Sequence, residues 1–130
     1  MSSKLLLDTC VFLWWQEGGE RLDPRVAAAI ESADLVAVSA ASAWEIAIKV
    51  ALGRLEIPGS VADAVRESGF IELPVGFSHA EAAGALPAHH RDPFDRMLVA
   101  QAMVERLTLV TSDQRMEPYG IDALWAERRG

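Results

Sequence analysis

Short apolar runs alternate with longer segments in which apolar residues recur every three or four positions. That alternation predicts an α/β domain with a mainly parallel central sheet flanked by helices. Strands are expected at Lys4–Leu7, Leu35–Val38, Phe70–Leu73, Thr108–Val110 and Ile121–Leu124. Helical patterns fall at Val11–Trp15, from Pro24 to about Ser32, at Ser42–Leu52 up to Gly53, at Ser60–Glu67 and at Ser78–Ala85. Asp23-Pro24 reads as an N-cap followed by proline at the first helical position, and Ser78-x-x-Glu81 reads as a capping box. Pro87–Arg91 is a polar connector with His89 and His90. After it, Asp92-Pro93 opens a helix to about Glu105 that is apolar almost all round and so belongs in the interior.

Composition narrows this picture. With 130 residues, 51% of them hydrophobic, and no repeat or linker, residues 1–130 are expected to fold as one domain around one core. The formal net charge of −7 excludes a protein that grips nucleic acid by positive charge alone, so a nucleic-acid substrate would need a bound metal. Cys10 is the only cysteine, which rules out an intrachain disulfide or a cysteine-based zinc cage and fits a cytoplasmic protein. No apolar run is long enough to span a bilayer, so no membrane association is expected.

The chemistry lies in the carboxylates. Ligands of parallel α/β sheets bind outside the carboxyl ends of the strands. Asp8 follows the first strand directly, and Asp113 follows the Thr108 strand after only Thr111-Ser112. Asp92 and Asp95 open the helix that feeds that strand, and Glu45 lies about one turn into the helix after Leu35–Val38. All five can reach one sheet edge. Converging carboxylates repel one another, and burial raises their pKa values, so a cation is needed to hold them together. A hard, oxygen-loving ion such as Mg2+ suits such donors, whereas adjacent histidines at 89 and 90 offer little to zinc.

Each acid also has a structural reading. Asp92 and Asp95 fit an N-cap and third helical position, Ser42-x-x-Glu45 a capping box, Glu45 and Lys49 an i, i+4 ion pair, Asp8 a cap, and Asp113 a turn residue. The tryptophans at 14, 15, 44 and 125 read as core or partner-contact residues rather than a base-stacking surface, because they lie on separate elements. Independent caps, however, have no reason to fall on one sheet edge.

Four blocks then align in order: Leu6-Leu7-Asp8-Thr9, Ser42-x-Trp44-Glu45-Ile46-x-Ile48-Lys49, the run Arg91-Asp92-Pro93-Phe94-Asp95-Arg96-Met97-Leu98-Val99-Ala100-Gln101-Ala102, and Thr111-Ser112-Asp113. On these residues the chain resembles the PIN-domain family, and within it the VapC-type toxins of bacterial toxin–antitoxin pairs. The resemblance implies an endoribonuclease dependent on Mg2+ or Mn2+, with Asp8, Glu45, Asp95 and Asp113 as metal and catalytic residues and Asp92 as an accessory carboxylate. Thr9, Thr111 and Ser112 are then candidates to orient the acids. Arg91, Arg96 and Arg115 are candidates to meet RNA phosphates, although Arg96 suits a pair with Asp92 equally well. A homodimer and a VapB-type antitoxin are further implications. The short apolar helix with Val11, Phe12, Trp14 and Trp15 reads either as a partner surface or as a two-sided core helix. Rival readings are a non-catalytic PIN scaffold that binds RNA or protein, and a phospho-acceptor receiver domain. The receiver fits poorly, since it wants an acidic pair after its first strand and a lysine after its last.

Overall fold

A computed structural model describes residues 3–89 and 92–127. Five strands, β1 (Lys4–Leu7), β2 (Leu35–Ser39), β3 (Ile71–Leu73), β4 (Thr108–Thr111) and β5 (Ala123–Trp125), form one sheet in the order β3-β2-β1-β4-β5. Every ladder is parallel, with Leu7 level with Val38 on one side and with Val110 on the other. The helices are α1 (Thr9–Gln16), α2 (Pro24–Ser32), α3 (Ala40–Ala51), α4 (Val61–Glu67), α5 (Phe77–Ala85) and α6 (Pro93–Glu105), with a 3-10 turn at Gln114–Tyr119.

The unbroken apolar runs of β1, β2 and β4 follow from a sheet covered on both faces. Side chains alternate along a strand. Leu5 and Leu7 accordingly join Val11, Phe12, Val38, Ile46 and Val110 in one core. Leu6 points the other way, into a second core with Ala37, Leu98, Val99, Leu109 and Met116, so the single core expected from composition is two, divided by the sheet. Leu6 is wholly buried in the central strand, so Leu6→Ala is expected to cost about 3 kcal/mol, read as a lower urea midpoint at unchanged slope.

Several local expectations are corrected. Helix α5 starts at Phe77 rather than at a Ser78 cap, and the Gly76 N–H donates to Nδ1 of His79 at 3.0 Å in place of the Ser78–Glu81 box. Helix α3 is capped by Ser39, whose hydroxyl accepts from the Ala41 N–H at 3.0 Å. Ser42 therefore sits inside the helix, and its capping box with Glu45 does not form. Helix α6 is interior only from Leu98 to Ala102, because Met103 and Val104 in its last turn are exposed. Val11, Phe12 and Trp14 are buried, so α1 is a core helix rather than a partner surface. Among the described residues no helix is long and apolar enough to cross a membrane.

Candidate metal centre

In the order β3-β2-β1-β4-β5, the chain winds outward from β1 to β3 and then crosses back to β4 on the other side of β1. The carboxyl ends of β1 and β4 therefore flank a topological switch point, the place where open α/β sheets form a crevice. Asp8 stands at that point. Its own N–H donates to the Val110 carbonyl at 3.0 Å, which ties the residue across the gap to β4.

Asp8 does two things at once. Its Oδ1 accepts from the Val11 N–H at 2.7 Å and so caps α1, while its Oδ2 accepts from the Thr111 hydroxyl at 2.6 Å. The residue is only 5% exposed. Burial, the largest influence, pushes its pKa from 3.8 up to about 6; the Thr111 and Val11 hydrogen bonds pull it back, and the charges of Asp113 and Glu45 add to the rise. Asp8, Glu45 and Asp113 thus lie within electrostatic reach of one another.

The other acids lie around it on different elements. Glu45 is half-buried in the second turn of α3 and pairs with Lys49 at 3.5 Å. Asp113 follows β4, caps the 3-10 turn through the Arg115 N–H at 3.0 Å, and meets the Arg115 guanidinium at 2.8 Å. Its own N–H donates to Oγ1 of Thr111 at 3.0 Å, so one threonine links both strand-end acids. Asp92 caps α6, accepting from the N–H groups of Phe94 at 2.8 Å and Asp95 at 3.2 Å. Asp95 lies in the first turn of that helix, and its charge is felt both at Cys10, beside Asp8, and at Arg115, beside Asp113. Burial first, and then the Asp8 carboxylate, hold the Cys10 thiol above its ordinary pKa, which keeps it protonated rather than nucleophilic.

Among the described residues, no three Asp, Glu, His or Cys side chains are gathered tightly enough to hold a metal ion by themselves. The acids share an edge and a field, but Glu45 and Asp113 are turned toward Lys49 and Arg115. The donor chemistry nonetheless fits a hard cation. All the donors are carboxylate oxygens, one of them buried with its ionisation opposed, and Mg2+ commonly takes only one or two protein carboxylates and keeps several waters.

The Thr111 hydroxyl meets the Asp8 carboxylate, and Ser112 is half-buried between Thr111 and Asp113. Thr9 does something else: its hydroxyl donates to Oγ of Ser42 at 3.0 Å, a buried link that fixes α1 against α3. The Arg96 guanidinium donates to the carbonyls of Pro87, Ala83 and Leu86 at 3.0, 2.9 and 3.0 Å, which satisfies the end of α5. That task was not legible, because the acceptors are backbone atoms and leave no sequence signal. Arg115 is exposed and engaged by Asp113. His90 and Arg91 lie outside the described residues.

A family model described as PIN domain matches residues 5–121. Over 123 residues the chain is 35% identical to Ribonuclease VapC22 of Mycobacterium tuberculosis, a match covering 88% of this chain and 91% of that protein. Among solved structures, VapBC2 from Rickettsia felis bound to a DNA fragment from its promoter aligns with a TM-score of 0.68 at 11% identity, over 95% of this chain and 99% of that one. A toxin–antitoxin complex from Klebsiella pneumoniae aligns with a TM-score of 0.66 at 18% identity, over 92% and 95% of the two chains. At those identities the solved structures speak for the fold, while the family model and the closer relative speak for descent as well. From the strand-end acids outward, then, the chain belongs to the PIN-domain family, among its VapC-type members.

Proposed function

We propose that this chain is a divalent-metal-dependent endoribonuclease and the toxin of a toxin–antitoxin pair. The observation that carries the reading is Asp8: a buried carboxylate with its pKa pushed up to about 6, at the switch point of the sheet and within the electrostatic reach of Glu45 and Asp113. In a chain 35% identical to a ribonuclease, such an acid is best explained by a cation that it meets in the working protein. Asp8, Asp95 and Asp113 would hold Mg2+ or Mn2+ directly or through water, with Glu45 beside them. When bound, the ion supplies Lewis acidity and lowers the pKa of a water for attack on the phosphodiester.

The chain's own residues prepare this chemistry. Thr111 fixes the carboxylate of Asp8 and the backbone of Asp113 relative to each other. The Thr9–Ser42 bond sets α3, and with it Glu45, against α1. Lys49 and Arg115 offset the acids' mutual repulsion until a cation does so. A VapB-type antitoxin partner belongs to the same proposal, supported by the toxin–antitoxin complexes among the structures of like fold, and a homodimer is added to it on the family resemblance alone.

Metal removal tests it. The purified chain is expected to cleave total RNA in Mg2+ or Mn2+ and to stop in excess chelator, with activity returning when the ion is restored. Undiminished cleavage in chelator would remove the metal from the mechanism, and no cleavage in either ion would remove the ribonuclease.

A further inference from the structure

Trp44 is 65% exposed, although burying an indole is among the more favourable things a fold can do. It is not loose. Its ring stands edge to face with Phe94, with centroids 5.3 Å apart and planes at 67°. The pair bridges α3 and α6 at the acidic centre, for Trp44 immediately precedes Glu45 and Phe94 immediately precedes Asp95.

A chain of net charge −7 has little attraction for a polyanion, and the described cations nearest the acids are already engaged: Lys49 by Glu45, Arg115 by Asp113, and Arg96 by backbone carbonyls. Stacking needs no positive charge. Every base offers a π face, and an aromatic platform contributes about 1–3 kcal/mol per base whatever the sequence. Tryptophan has only two side-chain torsions to fix, and contact with Phe94 restricts them further, so a platform here is preorganised. We infer that the Trp44 ring, propped by Phe94, stacks on an unpaired base of the RNA strand beside the phosphate to be cut. This rests on the ribonuclease reading. Helix α3 continues the apolar stripe through Ile48 to Leu52, which is 62% exposed, so contact with a protein is the competing outcome.

The test follows binding of a labelled, unstructured RNA about 12 nucleotides long, within the site sizes of such platforms, by fluorescence anisotropy in Ca2+. Cleavage of total RNA in Mg2+ is followed in parallel. Trp44→Ala is expected to weaken binding about tenfold or more, and Trp44→Phe to keep most of it. An abasic version of the RNA should bind less tightly to the wild type but no less tightly to Trp44→Ala, a readout that general damage to the fold would not give. Leu52→Ser should leave both binding and mass by light scattering unchanged. The inference is overturned if Trp44→Ala binds as the wild type does, if the abasic RNA is penalised equally by both proteins, or if Trp44→Ala and Leu52→Ser lower the scattering mass alike. In those cases wild-type cleavage in Mg2+ leaves the ribonuclease reading standing, whereas a wild type that cuts no RNA removes both.

Discussion

Asp8→Asn is expected to lower metal-dependent RNA cleavage by about three orders of magnitude, the loss of several kcal/mol of transition-state charge stabilisation. The substitution is close to isosteric, and it spares the structural half of the residue's work. Asparagine caps helices as well as aspartate does, so the bond from the Val11 N–H survives through the amide oxygen. The negative charge is what disappears, and with it the repulsion from Glu45 and Asp113. The variant should therefore melt no lower than the wild type in chelator at neutral pH, yet gain nothing from added Mg2+ or Mn2+. Gel assays of total RNA and melting curves with and without metal read both halves. A variant that cuts RNA at the wild-type rate would dismiss Asp8 from the chemistry, and one that unfolds in chelator would make it a structural cap alone.

The second large effect is a pH dependence opposite to that of a salt-bridged acid. Asp8 has its folded-state pKa raised from 3.8 to about 6, so the folded chain holds this proton more tightly than the unfolded chain does. Its contribution to stability is fully present below the unfolded value and is lost as pH rises through about 6. In chelator, the stability of the wild type relative to Asp8→Asn should fall by roughly 3 kcal/mol between about pH 3 and about pH 7, since each tenfold gain in proton affinity on folding is worth about 1.4 kcal/mol. Taking the difference between the two proteins cancels the carboxylates that do not interact with Asp8, leaving Asp8 and its coupling to Glu45 and Asp113. Metal should reverse the trend, since a cation competes with the proton; affinity for Mn2+ is expected to drop as pH falls below about 6. Denaturant titrations of both proteins across this range check the sign, and a difference that stays flat with pH would mean that Asp8 ionises without penalty.

Much of this architecture could be read from the chain, for physical reasons that differ by element. Strands β1, β2 and β4 carry continuous apolar runs because both faces are covered, and they were legible to within a residue. Edge strand β3, which begins at Ile71, was read equally closely, but β5 was less so: it runs from Ala123 to Trp125, and an edge of three residues leaves little pattern to read. The caps at Asp23 and Asp92 were visible because each aspartate precedes a proline. Ser39 and Ser42 defeated pattern reading. Two serines three residues apart are equally good caps, and only the packing of α3 selects the first.

At the site, the functional and capping readings of the acids proved compatible. Asp8, Asp92 and Asp113 each accept from the backbone of the following helix or turn, and Asp8 and Asp113 also face each other electrostatically. Spacing gave the sheet edge on which these residues lie, but not where their oxygens turn, because that depends on Lys49, Arg115 and Thr111 brought in from elsewhere. The exposure of Trp44 was likewise out of reach. An aromatic among apolar neighbours looks the same in sequence whether it faces inward or outward.

The bond between Thr111 and Asp8 joins residues 103 positions apart. The acid is made well before the strand that encloses it. A ribosome-bound chain that has not yet presented β4 has residue 8 in water, as an ordinary ionised side chain with no crevice around it. Whatever the finished centre does to RNA is therefore withheld from every partial chain and arrives in one step, when the fourth strand docks against the first.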